Sequence, residues 1–120
     1  MEGKNVINYK INRNSLYVNG INVDFKYEID NVKMCNRLLI ILLDIPSNIK
    51  DINNVYAVDS LGNILWQVQD ASTVYSVIND VPYVGTRIIE NDKIIVTNFN
   101  GVTYTIESSN GKIIDRGCTK

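Results

Sequence analysis

The chain contains no histidine. That removes the most common general base, the most common metal ligand and every Ser-His or Cys-His nucleophile pair. It has two cysteines, Cys35 and Cys118, and two thiols without imidazole cannot build the usual zinc site within one chain. So few cysteines suit a reducing compartment, and a cytoplasmic location is expected. Lysine and arginine never cluster; they stand singly among acids, as in Lys26-Tyr27-Glu28 and Asp92-Lys93. With a net charge of −1 and a pI near 5.3, the chain lacks the basic stripe that phosphate backbones require, so no nucleic-acid partner is expected. The longest apolar run, residues 38–43, is too short for a membrane helix. No apolar segment follows Met1-Glu2-Gly3-Lys4, so neither a secretory leader nor a membrane partner is expected.

Motifs with a catalytic mechanism are also lacking. There is no phosphate-binding loop, dinucleotide fingerprint or calcium loop. Ser47-Asn48-Ile49-Lys50 has the Ser-x-x-Lys spacing of acyl-transfer enzymes. It follows Pro46 in a polar stretch and has no companion motif, so it reads as coincidence. Asp24, Glu28 and Asp30 alternate on the wet side of one segment, interrupted by Lys26, and read as a solvated face. No catalytic, cofactor-binding or metal-ligating residue is assigned, no cofactor is expected, and the chain is read as a non-enzyme.

What the chain does have is period-two alternation. In residues 21–29 the odd positions are Ile21, Val23, Phe25, Tyr27 and Ile29, and the even ones are polar. Residues 102–107 and 7–11 repeat the pattern. Side chains alternate across a strand, so each segment has a dry and a wet face. Asn19-Gly20, Asn100-Gly101 and Asn110-Gly111 separate such segments and suit the positive φ of tight hairpin turns. Residues 38–43, apolar at every position, read as a central strand buried on both faces. Residues 47–54 read as a loop. In residues 70–80 and the next position, Val74, Val77, Ile78 and Val81 have helical spacing behind a cap at Asp70 or Ser72 and suggest one short helical turn.

At 120 residues, 45% hydrophobic and 21% charged, the chain is expected to form one all-β domain over residues 1–120. The expected architecture is antiparallel meanders of nine or ten short strands in two packed sheets or an incomplete, propeller-like barrel. The C-terminal meander spans residues 84–116. The expected core comprises Val23, Phe25, Leu39, Ile41, Leu43, Ile64, Trp66, Val96, Tyr104 and Ile106. Tyr17, Tyr56 and Tyr75 fall out of phase with their apolar neighbours and are the candidate interaction surface, because tyrosine is enriched at binding hot spots.

Val55-Tyr56-Ala57-Val58-Asp59-Ser60-Leu61-Gly62-Asn63-Ile64-Leu65-Trp66 resembles a blade of the quinoprotein-type β-propeller repeat. Residues 102–114 resemble a second copy, with Glu107 in the place of Asp59 and Ile114 in that of the tryptophan. The resemblance covers about half the chain and implies blade-like meanders too few to close a propeller. It implies no ligand residues. Residues 82–114 also resemble small bacterial all-β proteins of uncharacterised role, a class in which immunity and accessory factors beside toxin genes occur. The function expected on these grounds is a non-catalytic protein-interaction module, immunity- or antitoxin-like, with one specific protein partner. The other readings are a small-ligand-binding β domain and a protein that self-associates through sheet edges.

Overall fold

A computed structural model describes residues 7–90 and 93–118. Among these residues, eleven strands form three antiparallel meanders. The first sheet holds β1 (Tyr9–Asn12), β2 (Ser15–Val18) and β3 (Ile21–Asp24). The second holds β4 (Ile29–Cys35), β5 (Leu38–Leu43), β6 (Val55–Val58) and β7 (Ile64–Gln67). The third holds β8 (Tyr83–Glu90), β9 (Lys93–Asn98), β10 (Val102–Glu107) and β11 (Ile113–Cys118). Within each sheet the strands pair in chain order. The expected all-β class and blade-like meanders are therefore present, with three sheets rather than two. The repeat seen in the sequence is β5-β6-β7 followed by β9-β10-β11. Its buried position on β11 is Ile113, not Ile114, because a bulge shifts the register of β10 against β11.

The sheets stack, and β5 shows why. Leu39, Ile41 and Leu43 point into a core shared with Leu16, Val18, Val23 and Phe25 around the first sheet. Ile40 and Leu42 point the other way, into a core shared with Ile94, Val96, Tyr104 and Ile106 of the third. A strand that is apolar at every position is the one that can serve two interfaces. Burying each such side chain is worth roughly 1.5–3 kcal/mol. The outer faces are different. Lys10, Tyr17 and Asn22 share a row on the far side of the first sheet. Arg87, Ile95, Thr105 and Asp115 share one on the far side of the third. Neither row offers the continuous apolar surface on which another sheet would pack.

The hairpin turns fall where Asn-Gly predicts, with φ of +84° at Gly20, +85° at Gly101 and +72° at Gly111. Three expectations are corrected. The alternating segment 21–29 is not one strand: β3 ends opposite the start of β2. There Asn14 captures the next residue at both backbone groups, its carbonyl accepting from Phe25 N–H at 2.8 Å and its amide donating to Phe25 O at 2.7 Å. The chain then enters the second sheet, so Asp24 and Asp30 stand on different sheets and form no carboxylate row. Ile64 is not in the core but 47% exposed: a register shift between Ala57 and Val58 turns it off the face that Trp66 buries, on the outermost strand of its sheet. Residues 70–80 carry only a 3₁₀ turn, Ala71–Thr73. Val74 and Ile78 are exposed, Ile78 at 87%, and the β-branched run gives no helix to carry them inward.

Candidate functional site

A cleft of about 520 Å³ opens where the loop after β5 faces the segment leading into β8. Its floor is buried and apolar: Leu42, Leu43 and Tyr83. Three apolar side chains stand at its rim, Phe99 at 71% exposure, Val84 at 53% and Ile49. Asp30, Asp44 and Asp80 complete it together with one cation, Lys50.

Local chemistry fixes each wall. Asn54 joins the two sheets beneath the cleft. Its buried amide donates to Leu43 O at 2.8 Å and Tyr83 O at 2.9 Å, and its Oδ1 accepts from Tyr83 N–H at 2.8 Å. Phe99 sits at the tip of the β9–β10 hairpin. Its N–H donates to Pro82 O at 3.0 Å, and Asn98 Oδ1 accepts from the N–H groups of Asn100 and Val102. Gly101 supplies the positive φ that lets the hairpin close. The tip is therefore tied to the segment that forms the opposite wall. Tyr83 turns its ring inward, edge-on to Tyr104 at 6.3 Å. Burial pushes its phenol well above the ordinary value, with smaller contributions from Tyr104 and Asp70.

Asp70 holds the segment that leads to this wall. Its carboxylate accepts from Ser72 N–H at 2.9 Å, Ser72 Oγ at 2.7 Å, Asn79 Nδ2 at 3.0 Å and Asn53 Nδ2 at 3.2 Å. The Ser72 hydroxyl and the Asn79 amide, followed by the Ser72 N–H, hold its carboxyl at about 2, below the ordinary 3.8. A depressed folded-state pKa favours folding above the unfolded value and loses that contribution as pH falls through the folded one. The segment 70–79 is accordingly expected to loosen between about pH 4 and pH 2 in the native protein, with Asp70→Asn losing this step. Amide exchange of residues 72–79 as a function of pH checks this; protection that stays flat across the window, or an unchanged step in Asp70→Asn, contradicts it.

A second, smaller cleft of about 490 Å³ shares Asp44 and Pro46 with the first. Most of its polar side chains are paired with groups outside its lining: Tyr27 donates to Asp51 at 2.7 Å, Lys26 lies 3.7 Å from Asp51, and Glu28 lies 3.5 Å from Arg13.

Sequence comparison adds the family. Residues 6–118 match the domain of unknown function DUF7957. The chain belongs to the DUF7957 family. None of the curated proteins matches this DUF7957 domain in sequence. Among solved structures it is similar to BamB from Moraxella catarrhalis, with a TM-score of 0.61 and 14% identity over 93% of the chain. It is also similar to the computationally designed Ika8 protein, with a TM-score of 0.61 and 10% identity over 98%. The DUF7957 chain spans 32% of the first and 35% of the second, about a third of each. At these identities the likeness is one of fold alone, and it agrees with the blade-like meanders expected from residues 55–66 and 102–114. Among the described residues no helix is long and apolar enough to cross a membrane.

The three tyrosines singled out from the sequence occupy three different places, all half-buried. Tyr17 lies on the polar outer face of the first sheet. Tyr56 packs against the core between the first and second sheets, its ring 5.4 Å from that of Phe25. Tyr75 stacks on Tyr104 at 6.0 Å with the Arg116 guanidinium 5.9 Å from its ring. The structure does not gather them into one patch. The residues that do converge, Phe99, Val84 and Ile49, were passed over in the sequence. One signal was there: Phe99 directly precedes Asn100-Gly101, and a hairpin tip ordinarily takes small polar residues.

Proposed function

We propose that this DUF7957 domain is a non-catalytic protein-interaction module that seats its partner in the cleft beside Phe99. The observation that carries the reading is Phe99 itself, a large aromatic side chain 71% exposed on a backbone tied in place by Pro82 and Asn98. Leaving such a ring in water is unfavourable, and aromatic anchors beside apolar recesses are what binding hot spots are made of. An anchor already fixed in position loses little freedom on binding. An immunity- or antitoxin-like role is the concrete form of this reading, since stoichiometric capture of one protein needs an anchor and no catalytic group. A cytoplasmic setting fits the low cysteine content.

Affinity capture from the native lysate tests it, with wild type and Phe99→Asp compared at equal thermal stability. The expected result is one stoichiometric protein with the wild type and its loss with the variant. A partner retained by Phe99→Asp, or none with either, overturns the reading. The cleft's volume also falls in the range of small-ligand sites, roughly 300–1,000 Å³. Stabilisation of the isolated domain by a member of a metabolite library would favour that alternative. Self-association is the third reading, since among the described residues each outer strand of every sheet pairs on one side only. Two bulges disturb the longest of these, β8. A strictly monomeric mass in light scattering at high concentration removes it.

A further inference from the structure

We infer that the cleft's occupant is a cationic, apolar peptide segment of the partner protein: a large hydrophobic side chain seated beside Phe99, flanked by arginine or lysine. This rests on the interaction reading above and adds the partner's chemistry to it.

The floor selects for an apolar group. Leu42 and Leu43 are buried, and Val84 and Phe99 flank the opening. The rim selects for charge. Asp30, Asp44 and Asp80 face a single ammonium, Lys50. Elsewhere Glu28 is paired with Arg13 and Asp51 with Lys26, whereas Asp30 accepts from the neutral amide of its neighbour Asn31, at 3.2 Å, which leaves its charge in place. Among the described residues no lysine or arginine lies within 4 Å of Asp30, Asp44 or Asp80. In a chain whose net charge is only −1, three carboxylates against one ammonium in the lining of this cleft are a local excess of negative charge. Their field acts over about a Debye length, ~10 Å in ordinary buffer, which covers residues adjoining an inserted side chain. Such a rim attracts a cationic segment and repels an acidic peptide or an anionic membrane surface.

Three fluorescein-labelled peptides that share a Leu-Phe centre and differ only in flanking arginines, serines or glutamates test this against the full chain by anisotropy. The arginine peptide is expected to bind roughly tenfold more tightly than the serine peptide, the scale that a few exposed charge pairs supply, with the glutamate peptide weakest. The combined variant Asp30→Asn, Asp44→Asn, Asp80→Asn should bind all three alike. Raising the salt from about 50 to about 500 mM should shrink the preference on the wild type. Phe99→Ala should weaken all three. Equal binding of the three peptides to the wild type, with Phe99→Ala still weakening each, overturns the charge inference and leaves the cleft as the site. No binding of any peptide, or binding indifferent to Phe99→Ala, overturns both.

Discussion

Gly111→Ala is expected to cost this domain about 2–4 kcal/mol, adding the strain of a positive φ in a residue with a Cβ to the cost of overpacking a core. Gly111 sits at φ +72°, and a Cβ there would lie 2.4 Å from Cε3 and 2.7 Å from Cδ2 of Trp66. The indole has little room to retreat. It is buried in the core between the second and third sheets, and its Nε1 donates to Ser108 O at 2.7 Å. Gly111 is also held on both sides, its N–H donating to Glu107 O and its carbonyl accepting from Gln69 N–H. For a domain of this size the loss corresponds to a fall in Tm of roughly 10–15 °C. Trp66 is the only tryptophan, so its fluorescence reports the displacement directly, as a shift to longer wavelength. Gly20→Ala is the control: φ is +84° but nothing lies within 4 Å of the added carbon, so only the conformational cost of about 1–2 kcal/mol applies. If the two variants melt together, contact with Trp66 is not what makes Gly111 necessary.

Asn54→Ala is expected to be at least as damaging, at about 3–5 kcal/mol, because it strands several buried backbone groups at once. The amide satisfies Leu43 O, Tyr83 O and Tyr83 N–H in a site where the residue is almost fully buried. An unmade bond to a buried group costs far more than an exposed one gains. Asn54→Asp should be no better: it keeps an acceptor for Tyr83 N–H but sets a carboxylate against two carbonyls. Urea denaturation measures the loss, with the exposed Asn48→Ala as reference, expected within about 0.5 kcal/mol of wild type. Asn54 links the end of β5 to the start of β8, so amide exchange at Tyr83 and Val84 should rise with the loss of stability. A variant that falls within about 1 kcal/mol of Asn48→Ala would mean that water takes over the amide's role.

Both residues show where the sequence stops being readable. Gly111 was legible as a turn, because Asn110-Gly111 between two apolar runs has a local steric meaning. That Trp66 lies against it was not, because the two meet only when the second and third sheets stack. Asn54 stood in a polar stretch correctly read as a loop, in a chain rich in asparagine. Nothing local separates an asparagine that clamps two sheets from one that faces water. Phe99 shows the converse: along the sequence it ends the run of residues 94–99 that precedes Asn100-Gly101, whereas β9 stops at Asn98 and the hairpin tip carries Phe99 to the cleft's rim. Asp70 was legible as a cap and the segment after it was misread, because helical spacing of apolar residues says nothing about whether a core lies on that side.

By itself the sequence determined the all-β class, the Asn-Gly hairpin turns, the twofold burial of β5 and the repeat of one meander. Each follows from interactions between residues close along the chain: period-two alternation, steric tolerance of positive φ, the polarity of a single segment. Only the tertiary structure decided that residues 21–29 divide between two sheets, that three sheets stack with polar outer faces, and that Ile49, Val84 and Phe99 meet at one acidic-rimmed cleft. Those depend on which distant surface covers a given face. Local alternation marks a face as apolar, but only the stacking of the sheets settles whether protein covers it or it is left open to a partner.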